Sequence, residues 1–152
     1  MNYKPLKVTI LEMHGLDSSL AAMRLPKNQP TKTTKQDDLD LGSKLVKAGT
    51  DHAKFTRGII AWMSLELQVG FMIEFETYRH GVECLSTSSS MHNELSRLSG
   101  PELAEAKQND LPGKVYTRVV MVSYQALRAI YRARKNHRHP DWQIFCDVIE
   151  RL

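Results

Sequence analysis

Apolar and polar residues alternate most regularly between residues 59 and 67, where every odd-numbered side chain is apolar. A period of two is typical of a β-strand that buries one face. Residues 6–13 predict a second strand, because Val8 and Ile10 place apolar side chains on one side of it. The pattern therefore predicts two strands of a sheet.

Capping residues and helix breakers divide much of the remaining chain into short helices. The predicted helices are residues 18–24, 38–48, 69–78, 101–108 and 141–152. Residues 26–38 are polar and contain two prolines, so they predict a flexible loop near a ligand or a subunit contact. Residues 81–92 predict a second, serine-rich loop, whose hydroxyls suit phosphate oxygens.

The longest predicted element is a helix over residues 115–136. On a helical wheel of about 100° per residue, two neighbouring apolar stripes run along one side of it. They consist of Val115, Val119, Val122, Ala126, Ala129 and Ala133, and of Tyr116, Val120, Ser123, Leu127 and Ile130. The opposite side carries Lys114, Arg118, Arg128, Arg132 and Lys135. A solvated surface explains these five cations at least as well as a function does.

Arg134 differs from those five cations because it falls within the second apolar stripe, four residues after Ile130. An unpaired charge in apolar surroundings costs several kcal/mol. Arg134 therefore needs a partner, which is either a structural carboxylate or a bound anion that suits a planar guanidinium. The sequence leaves both alternatives open.

The composition fits one globular domain over residues 1–152, with 41% hydrophobic and 25% charged residues. The net charge of +4 is unevenly distributed. Residues 113–140 contain seven cations and no acid, whereas the rest of the chain has 14 cations and 17 acids. Such a basic block indicates an anionic partner, such as a nucleotide, a nucleic acid or a phosphate, unless it is a solvated helix face.

The same sequence disfavours several other classes of protein. The apolar stretches are too short to span a membrane, and Cys84 and Cys146 are too few for a disulfide scaffold. The N-terminal residues lack the apolar core of a signal peptide. His137 and His139 lie in a positive neighbourhood, which is unfavourable for a metal ion. We therefore expect a soluble, reduced, intracellular protein without a metal.

Short motifs over most of the chain resemble those of the flavin-dependent thymidylate synthases. In order, they are Leu6-Lys7-Val8-Thr9-Ile10, Ala22-Met23-Arg24, the segment ending in Gly49-Thr50-Asp51-His52, Arg79-His80, Leu111-Pro112, Thr117, Ser123 and Arg134. The resemblance implies an α/β (α+β) fold, a thymidylate synthase-complementing-like single domain. Its central antiparallel sheet would be flanked by helices and followed by a long C-terminal helix. It also implies a homo-oligomer, a homotetramer with nucleotide sites between subunits.

The sequence departs from that family at positions that hold the flavin and the pyrimidine nucleotide. Gly81 stands where the motif has its second Arg, Ser123 stands for an Asn, and Met91-His92 replaces an Arg-Tyr pair. These departures imply that no cofactor is bound, with FAD expected only if the enzymatic activity is retained. Arg134 and the serine-rich segment would keep an anion or nucleotide pocket.

A closer resemblance is to small phage-encoded proteins. The shared groups are Asp51-His52 with Lys54-Phe55, Thr77-Tyr78 followed by Gly81, Ser89-Ser90-Met91-His92, and Arg134-Lys135-Asn136-His137 leading into Trp142, Phe145-Cys146 and Ile149-Glu150. This resemblance implies a viral protein that acts in the cytoplasm of the infected host cell.

The sequence leaves three functions open. The favoured one is a non-catalytic protein that binds and sequesters a nucleotide-derived host immune signal, such as a cyclic dinucleotide or an ADP-ribose derivative. The second is a flavin-dependent thymidylate synthase-like enzyme that acts on a pyrimidine nucleotide in viral DNA metabolism. The third and least favoured is nucleic-acid binding through the basic block. The ligand-binding candidates are Arg24, His52, Lys54, Arg57, Tyr78, Arg79, Ser89, Ser90, His92, Arg128 and Arg134.

Overall fold

The computed structural model describes residues 3–28, 34–92, 94–109 and 113–152 of the chain. Its centre is a four-stranded antiparallel sheet in the order β1-β2-β4-β3. The strands are β1 (Lys7–His14), β2 (Ile60–Gln68), β3 (Val82–Thr87) and β4 (Val115–Ser123). The helices are α1 (Leu16–Arg24), α2 (Lys35–Ala48), α3 (Val69–Phe75), α4 (Gly100–Asn109), α5 (Tyr124–Arg134) and α6 (Pro140–Glu150). The predicted fold class, with a central antiparallel sheet flanked by helices, is confirmed.

One face of the sheet carries the hydrophobic core. Its fully buried strand residues include Met63 and Leu65 on β2 and Val120 and Val122 on β4. The side chains that pack in this core from the helices are Phe71, Phe75, Leu127, Ile130, Trp142 and Phe145. They come from α3, α5 and α6. The burial of large aromatic rings is the main force that holds these three helices to the sheet.

Most of the predicted elements are confirmed to within about three residues at each end. The alternation over residues 59–67 corresponds to β2, in which every second side chain is buried. The predicted helices at residues 18–24, 38–48, 69–78, 101–108 and 141–152 correspond to α1, α2, α3, α4 and α6. No helix within the described residues has both the length and the apolar character that a membrane span requires.

The predicted long helix over residues 115–136 is wrong. Its first part is β4, which pairs with β2 at nine positions and with β3 on its other side. Only Tyr124–Arg134 is helical in the structure. Four valines and a threonine within β4 favour a strand, and the pairing on both sides overrides the helical spacing. The boundary lies at Ser123, whose Oγ accepts a hydrogen bond from the Ala126 backbone N–H at 3.2 Å and so caps α5.

Both predicted loops are shorter than the sequence indicates. Within the serine-rich segment 81–92, residues 82–87 form β3 because they pair with β4. Within the segment 26–38, Leu25–Lys27 forms a 3₁₀ helix that reaches into it, and α2 begins at Lys35. Thr34 and Asp37 form a capping box that fixes the start of α2. Residues 29–33 of that segment, and the Leu111-Pro112 pair, lie outside the described residues.

Candidate functional site

Four of the predicted ligand-binding residues lie around the turn that joins α3 to β3, residues 76–81, here termed the α3–β3 turn. Tyr78 and Arg79 belong to the turn, and Arg134 donates a hydrogen bond from Nε to Tyr78 Oη at 2.6 Å. Arg57 lines a cleft beside the turn. Two clefts adjoin the turn, and Glu83 borders both of them. The turn and its two clefts form the candidate site.

The smaller cleft has a volume of about 330 Å³ and lies between the α3–β3 turn and β4. Arg118 lines it and is only 7% exposed. Its Nη1 donates to Glu76 Oε1 at 2.7 Å, and its Nε donates to Thr87 Oγ1 at 2.9 Å. The prediction that Arg118 lies on the polar side of a helix is therefore wrong, because it belongs to β4. Arg79 lines the same cleft and forms no ion pair within the described part of the chain.

The larger cleft has a volume of about 640 Å³ and lies on the other side of the turn. Its polar lining consists of Arg57, His80, Glu83, Ser123 and Gln125, and its apolar lining includes Ile60, Met121, Ala126 and Ala129. Arg57 donates from Nε to Gln125 Oε1 at 2.6 Å. Because Arg57 is exposed and has no carboxylate partner among the described residues, its remaining N–H groups are free to bind an anion.

Arg134 lies between two aromatic rings that anchor the turn. Its guanidinium carbon is 4.6 Å from the centroid of the Trp142 ring and 5.4 Å from that of Tyr78. Its Nη1 is 3.8 Å from Glu74 Oε2, which also accepts a hydrogen bond from Trp142 Nε1 at 2.8 Å. Of the two alternatives that the sequence left open, the structure therefore shows the carboxylate neighbour. Arg134 holds Tyr78, and with it the turn, against α6.

Glu74 is the acidic member of this cluster. The hydrogen bond from Trp142 lowers the pKa of the Glu74 carboxyl, and electrostatic interaction with His137, His139 and Arg134 lowers it further against the opposing effect of burial. The ionised form of Glu74 is therefore stabilised in the folded protein.

Gly81 and Ser123, two positions at which the sequence departs from the synthase motif, are in contact. Gly81 has a φ of +73°, and a Cβ placed on it would lie 2.4 Å from Ser123 Oγ. The Ser123 backbone N–H also donates to the Gly81 carbonyl at 2.8 Å. No side chain fits at position 81 while Ser123 caps α5. The side chains that positions 81 and 123 can carry are therefore sterically coupled.

The hydroxyls of the serine-rich segment take part in local hydrogen bonds. Thr87 Oγ1 accepts from Arg118, and Ser88 Oγ accepts from the Thr117 backbone N–H at 3.0 Å. Ser89 Oγ accepts from the Met91 backbone N–H at 3.1 Å. Ser90 is 4% exposed. These hydroxyls connect the segment to β4 and to itself, and none of them lines the two clefts.

The remaining predicted residues lie elsewhere in the fold. Arg24 forms an ion pair with Asp38 at 2.6 Å, which joins α1 to α2. His52 and Lys54 are exposed just before Arg57, and His92 is exposed after the serine-rich segment. Arg128 donates from Nη2 to the Val46 carbonyl at 3.0 Å, on the α2 side of α5. The structure thus brings together Arg57, Tyr78, Arg79 and Arg134, and places the other candidates apart from the two clefts.

The residues that line the clefts and that sequence reasoning missed include Glu76, His80, Glu83, Arg118, Met121 and Gln125. Glu83 and Met121 are register partners in the β3–β4 pair, and that pairing is not visible in the local pattern. A strand assignment for residues 115–123 would have revealed Arg118 and Met121. Within the described residues, no three His, Cys, Asp or Glu side chains are grouped closely enough to hold a metal ion.

Comparison with solved structures identifies the fold. The chain superposes on two structures of the flavin-dependent thymidylate synthase ThyX from Helicobacter pylori, both with FAD and dUMP, at TM-scores of 0.70 and 0.72. In each case the match covers 93% of this chain and 90% of the other, at 12% sequence identity. The chain therefore has the ThyX-like fold that the motifs predicted. No protein-family model matches the sequence, and the curated proteins contain no match.

Replacing Gly81 with alanine should lower the free energy of unfolding by about 1–3 kcal/mol, the usual cost of a left-handed conformation for a residue with a Cβ. The contact with Ser123 Oγ adds to this cost. Chemical denaturation monitored by circular dichroism measures the change.

Gly70→Ala is the matched control, because a Cβ at Gly70 in α3 meets no atom within 4 Å. It should be neutral or stabilising. In a Ser123→Ala background the cost of Gly81→Ala should fall, since the obstructing oxygen is gone. An equal cost in both backgrounds would contradict the contact.

Replacing Glu74 with glutamine should flatten the acid dependence of stability. Because the folded pKa of Glu74 lies below its unfolded value of about 4.3, its contribution is complete above that pH and is lost as the pH falls through the folded pKa. We expect the variant to lose a fraction of a kcal/mol at neutral pH, since the partly exposed carboxylate is screened by solvent.

Denaturation midpoints between pH 3 and 7 test this expectation. Glu102→Gln, at an exposed position of α4, is the control and should keep the slope of the natural protein. If Glu74→Gln also keeps that slope, the cluster does not stabilise the ionised carboxylate.

Proposed function

We propose that this chain is a phage nucleotide-binding protein that sequesters a nucleotide-derived host immune signal, of the cyclic dinucleotide or ADP-ribose type, without turning it over. It would act in the cytoplasm of the infected host cell. The ligand would occupy the candidate site around the α3–β3 turn.

The observation that carries this proposal is the larger cleft. Its volume of about 640 Å³ falls within the range typical of small-molecule sites. Arg57 and His80 supply positive or hydrogen-bonding groups at its polar lining, and Met121 and Ile60 supply apolar surface. A nucleotide needs this combination, because its phosphates require cationic donors and its base requires an apolar wall.

The smaller cleft lies on the opposite face of the β3–β4 pair from the larger one, and the α3–β3 turn separates them. Arg79 lies in the smaller cleft without an ion pair among the described residues, and Glu83 borders both clefts. Arg57 and Arg79 would each bind a phosphate group, while Glu83 would accept hydrogen bonds from ribose hydroxyls or base amino groups. A ligand that contacts both arginines has to extend around the α3–β3 turn, so it needs two separated phosphates or two nucleosides.

Binding without turnover is supported by the Gly81–Ser123 contact. The resemblance to the synthase motif places an Arg at the first of these positions and an Asn at the second. In this chain a Cβ at position 81 would meet Ser123 Oγ at 2.4 Å, and that oxygen already caps α5. The residues present therefore do not fit the flavin motif at these positions, and we derive no reaction step through FAD.

A small anionic ligand accounts for the basic block better than a nucleic acid does. Lys114, Arg118 and Arg134 are each close to a glutamate, at 2.6, 2.7 and 3.8 Å. These carboxylates interrupt the positive surface that a nucleic-acid backbone would need to follow.

One observation favours the enzymatic alternative, in which the protein acts on a pyrimidine nucleotide in viral DNA metabolism. The fold matches two synthase structures that hold FAD and dUMP. A flavin absorbance band near roughly 450 nm in the purified protein, or after addition of FAD and gel filtration, would favour this alternative over sequestration.

A homotetramer is part of the proposal. Trp62 and Met121 face each other across β2 and β4 on the side of the sheet opposite the core, and both are partly exposed. Leu11 on β1 and Leu85 on β3 are 48% and 47% exposed. Apolar side chains on an uncovered sheet surface are typical of subunit contacts. Size-exclusion chromatography with light scattering measures the assembly directly.

Titration calorimetry with cyclic di-AMP, cyclic di-GMP and ADP-ribose tests the function. We expect one of them to bind, and Arg57→Gln to weaken that binding at least about tenfold because it removes a charge-assisted hydrogen bond. The bound nucleotide is then released by denaturation and identified by mass spectrometry. Intact ligand supports sequestration, whereas a converted product identifies an enzyme.

Arg97→Gln serves as the matched control in this titration. Arg97 is exposed, lines neither cleft and should leave the affinity unchanged. A comparable loss of affinity in both variants would assign the binding to general charge and would contradict the cleft as the site.

A further inference from the structure

Four arginines of the described residues are partly or fully buried, and one of them differs from the rest. Arg24, Arg118 and Arg134 each have a carboxylate neighbour. Arg128 is partly buried but forms no ion pair with any described residue, and among those residues its one hydrogen-bond acceptor is the Val46 carbonyl. An arginine that has lost part of its water and gained no counter-charge is a place where an anion would be stabilised.

The surroundings of Arg128 further favour a bound anion. Burial, and then the charge of Arg132, lowers the pKa of the Arg128 guanidinium. Lys135, the residue that follows the last residue of α5, lies about one turn after Arg132, and its Nζ is 5.9 Å from the Tyr131 ring centroid. Neither Arg132 nor Lys135 has an ion-pair partner in the described ranges. Three cations thus share one side of α5.

These cations line a cleft of about 390 Å³ between α5 and the end of α6. Its other lining residues are Tyr124, Tyr131, Ile149, Glu150 and Leu152. Glu150 accepts a hydrogen bond from Tyr131 Oη and forms no ion pair with the three cations. The cleft, here termed the basic cleft, therefore has a positive net charge.

An apolar pocket of about 270 Å³ adjoins the basic cleft and shares Tyr124 and Leu152 with it. Its lining is contributed mainly by α1, α2 and the segment before β2, and includes Leu16, Leu20, Leu39, Val46, Phe55 and Ile59. Three of its lining residues, Met13, Leu16 and Leu39, are between 37% and 40% exposed. Large apolar side chains exposed around one cavity indicate a binding surface.

Arg128 connects the two cavities. It lines the basic cleft, and its hydrogen-bond partner Val46 lines the apolar pocket. A ligand with an apolar chain in the pocket would therefore place its head group near the guanidinium of Arg128. We propose that the basic cleft and the apolar pocket form one site for an amphiphilic anion, a molecule with an alkyl or acyl chain and a phosphate or carboxylate head.

The site has a complementary surface for both the apolar chain and the anionic head of such a ligand. The chain removes apolar surface from water, and the head supplies the counter-charge that Arg128, Arg132 and Lys135 lack. A free phosphate would leave the apolar pocket open, and an uncharged alcohol would leave the cations unpaired. This site is separate from the nucleotide site, because it shares no lining residue with either cleft of the candidate site.

Calorimetric titration of the full chain with hexyl, octyl and decyl phosphate, each below its critical micelle concentration, tests the proposal. The affinity should rise about fourfold per added methylene until the pocket is full, the equivalent of about 0.8 kcal/mol per buried methylene. Decanoate should bind as well, since it keeps the chain and the negative head.

Two variants test the two halves of the site. Arg128→Gln should weaken decyl phosphate binding at least about tenfold through loss of a charge-assisted hydrogen bond. Leu39→Gln, at a position exposed enough to accept a polar side chain, should reduce the gain per methylene. Arg138→Gln is the matched control, because Arg138 is exposed, belongs to the same basic block and does not line the cleft.

Four results would overturn the proposal. Inorganic phosphate that binds as tightly as decyl phosphate would show a plain anion site, and decanol that binds equally well would show a plain apolar pocket. Binding only to vesicles of anionic phospholipid would show a membrane surface. The absence of any binding would show no site. Arg57→Gln should leave decyl phosphate binding unchanged, so this test does not depend on the nucleotide site.

Discussion

The position of β4 between β2 and β3 is the constraint on which the candidate site depends. Backbone pairing with β2 covers all nine residues of β4, and β3 pairs along its other side. This register places Arg118 on the same side of the sheet as Val120 and Val122, beside Glu76. It also ends the strand at Ser123, against Gly81. A shift of one residue would turn every β4 side chain to the opposite face and separate both pairs.

The α3–β3 turn is held by side chains from two further helices. Trp142 of α6 donates to Glu74 of α3, and Arg134 of α5 lies over the Trp142 ring while it donates to Tyr78. The Nε–H group of Arg134 therefore already has an acceptor within the protein. Arg134 thereby fixes the position of Tyr78, which lines the smaller cleft. Arg134 thus has a carboxylate neighbour and two aromatic neighbours within the protein, and its role towards a ligand stays a prediction.

The sequence predicted elements well where one period dominated and poorly where two periods were compatible. In β2 the alternation is unambiguous, and burial follows it residue by residue. In β4, Val119, Val120 and Val122 satisfy a helical spacing and a strand equally, and only the pairing with two other strands decides between them. Glu83 and the Gly81–Ser123 contact depend on that long-range pairing as well. Arg134 could be singled out from the sequence because it is a charged residue in an apolar helical stripe. That part of the predicted helix is correct, since α5 contains Arg134 together with the buried Leu127 and Ile130.

The cations of the basic block, residues 113–140, do not act as one unit, because some of them lie beside a glutamate and others do not. A cation beside a glutamate contributes little to the field outside the protein, since the two charges largely cancel. Of the block's seven cations, that condition applies to Lys114, Arg118 and Arg134. Within the block, the field that remains comes from Arg128, Arg132, Lys135 and Arg138. Outside the block, Arg57 and Arg79 line the other two clefts. Because α5 lines both the basic cleft and the larger cleft, a ligand in either one contacts the same helix. The two proposed sites are therefore distinct in chemistry and joined by one rigid element.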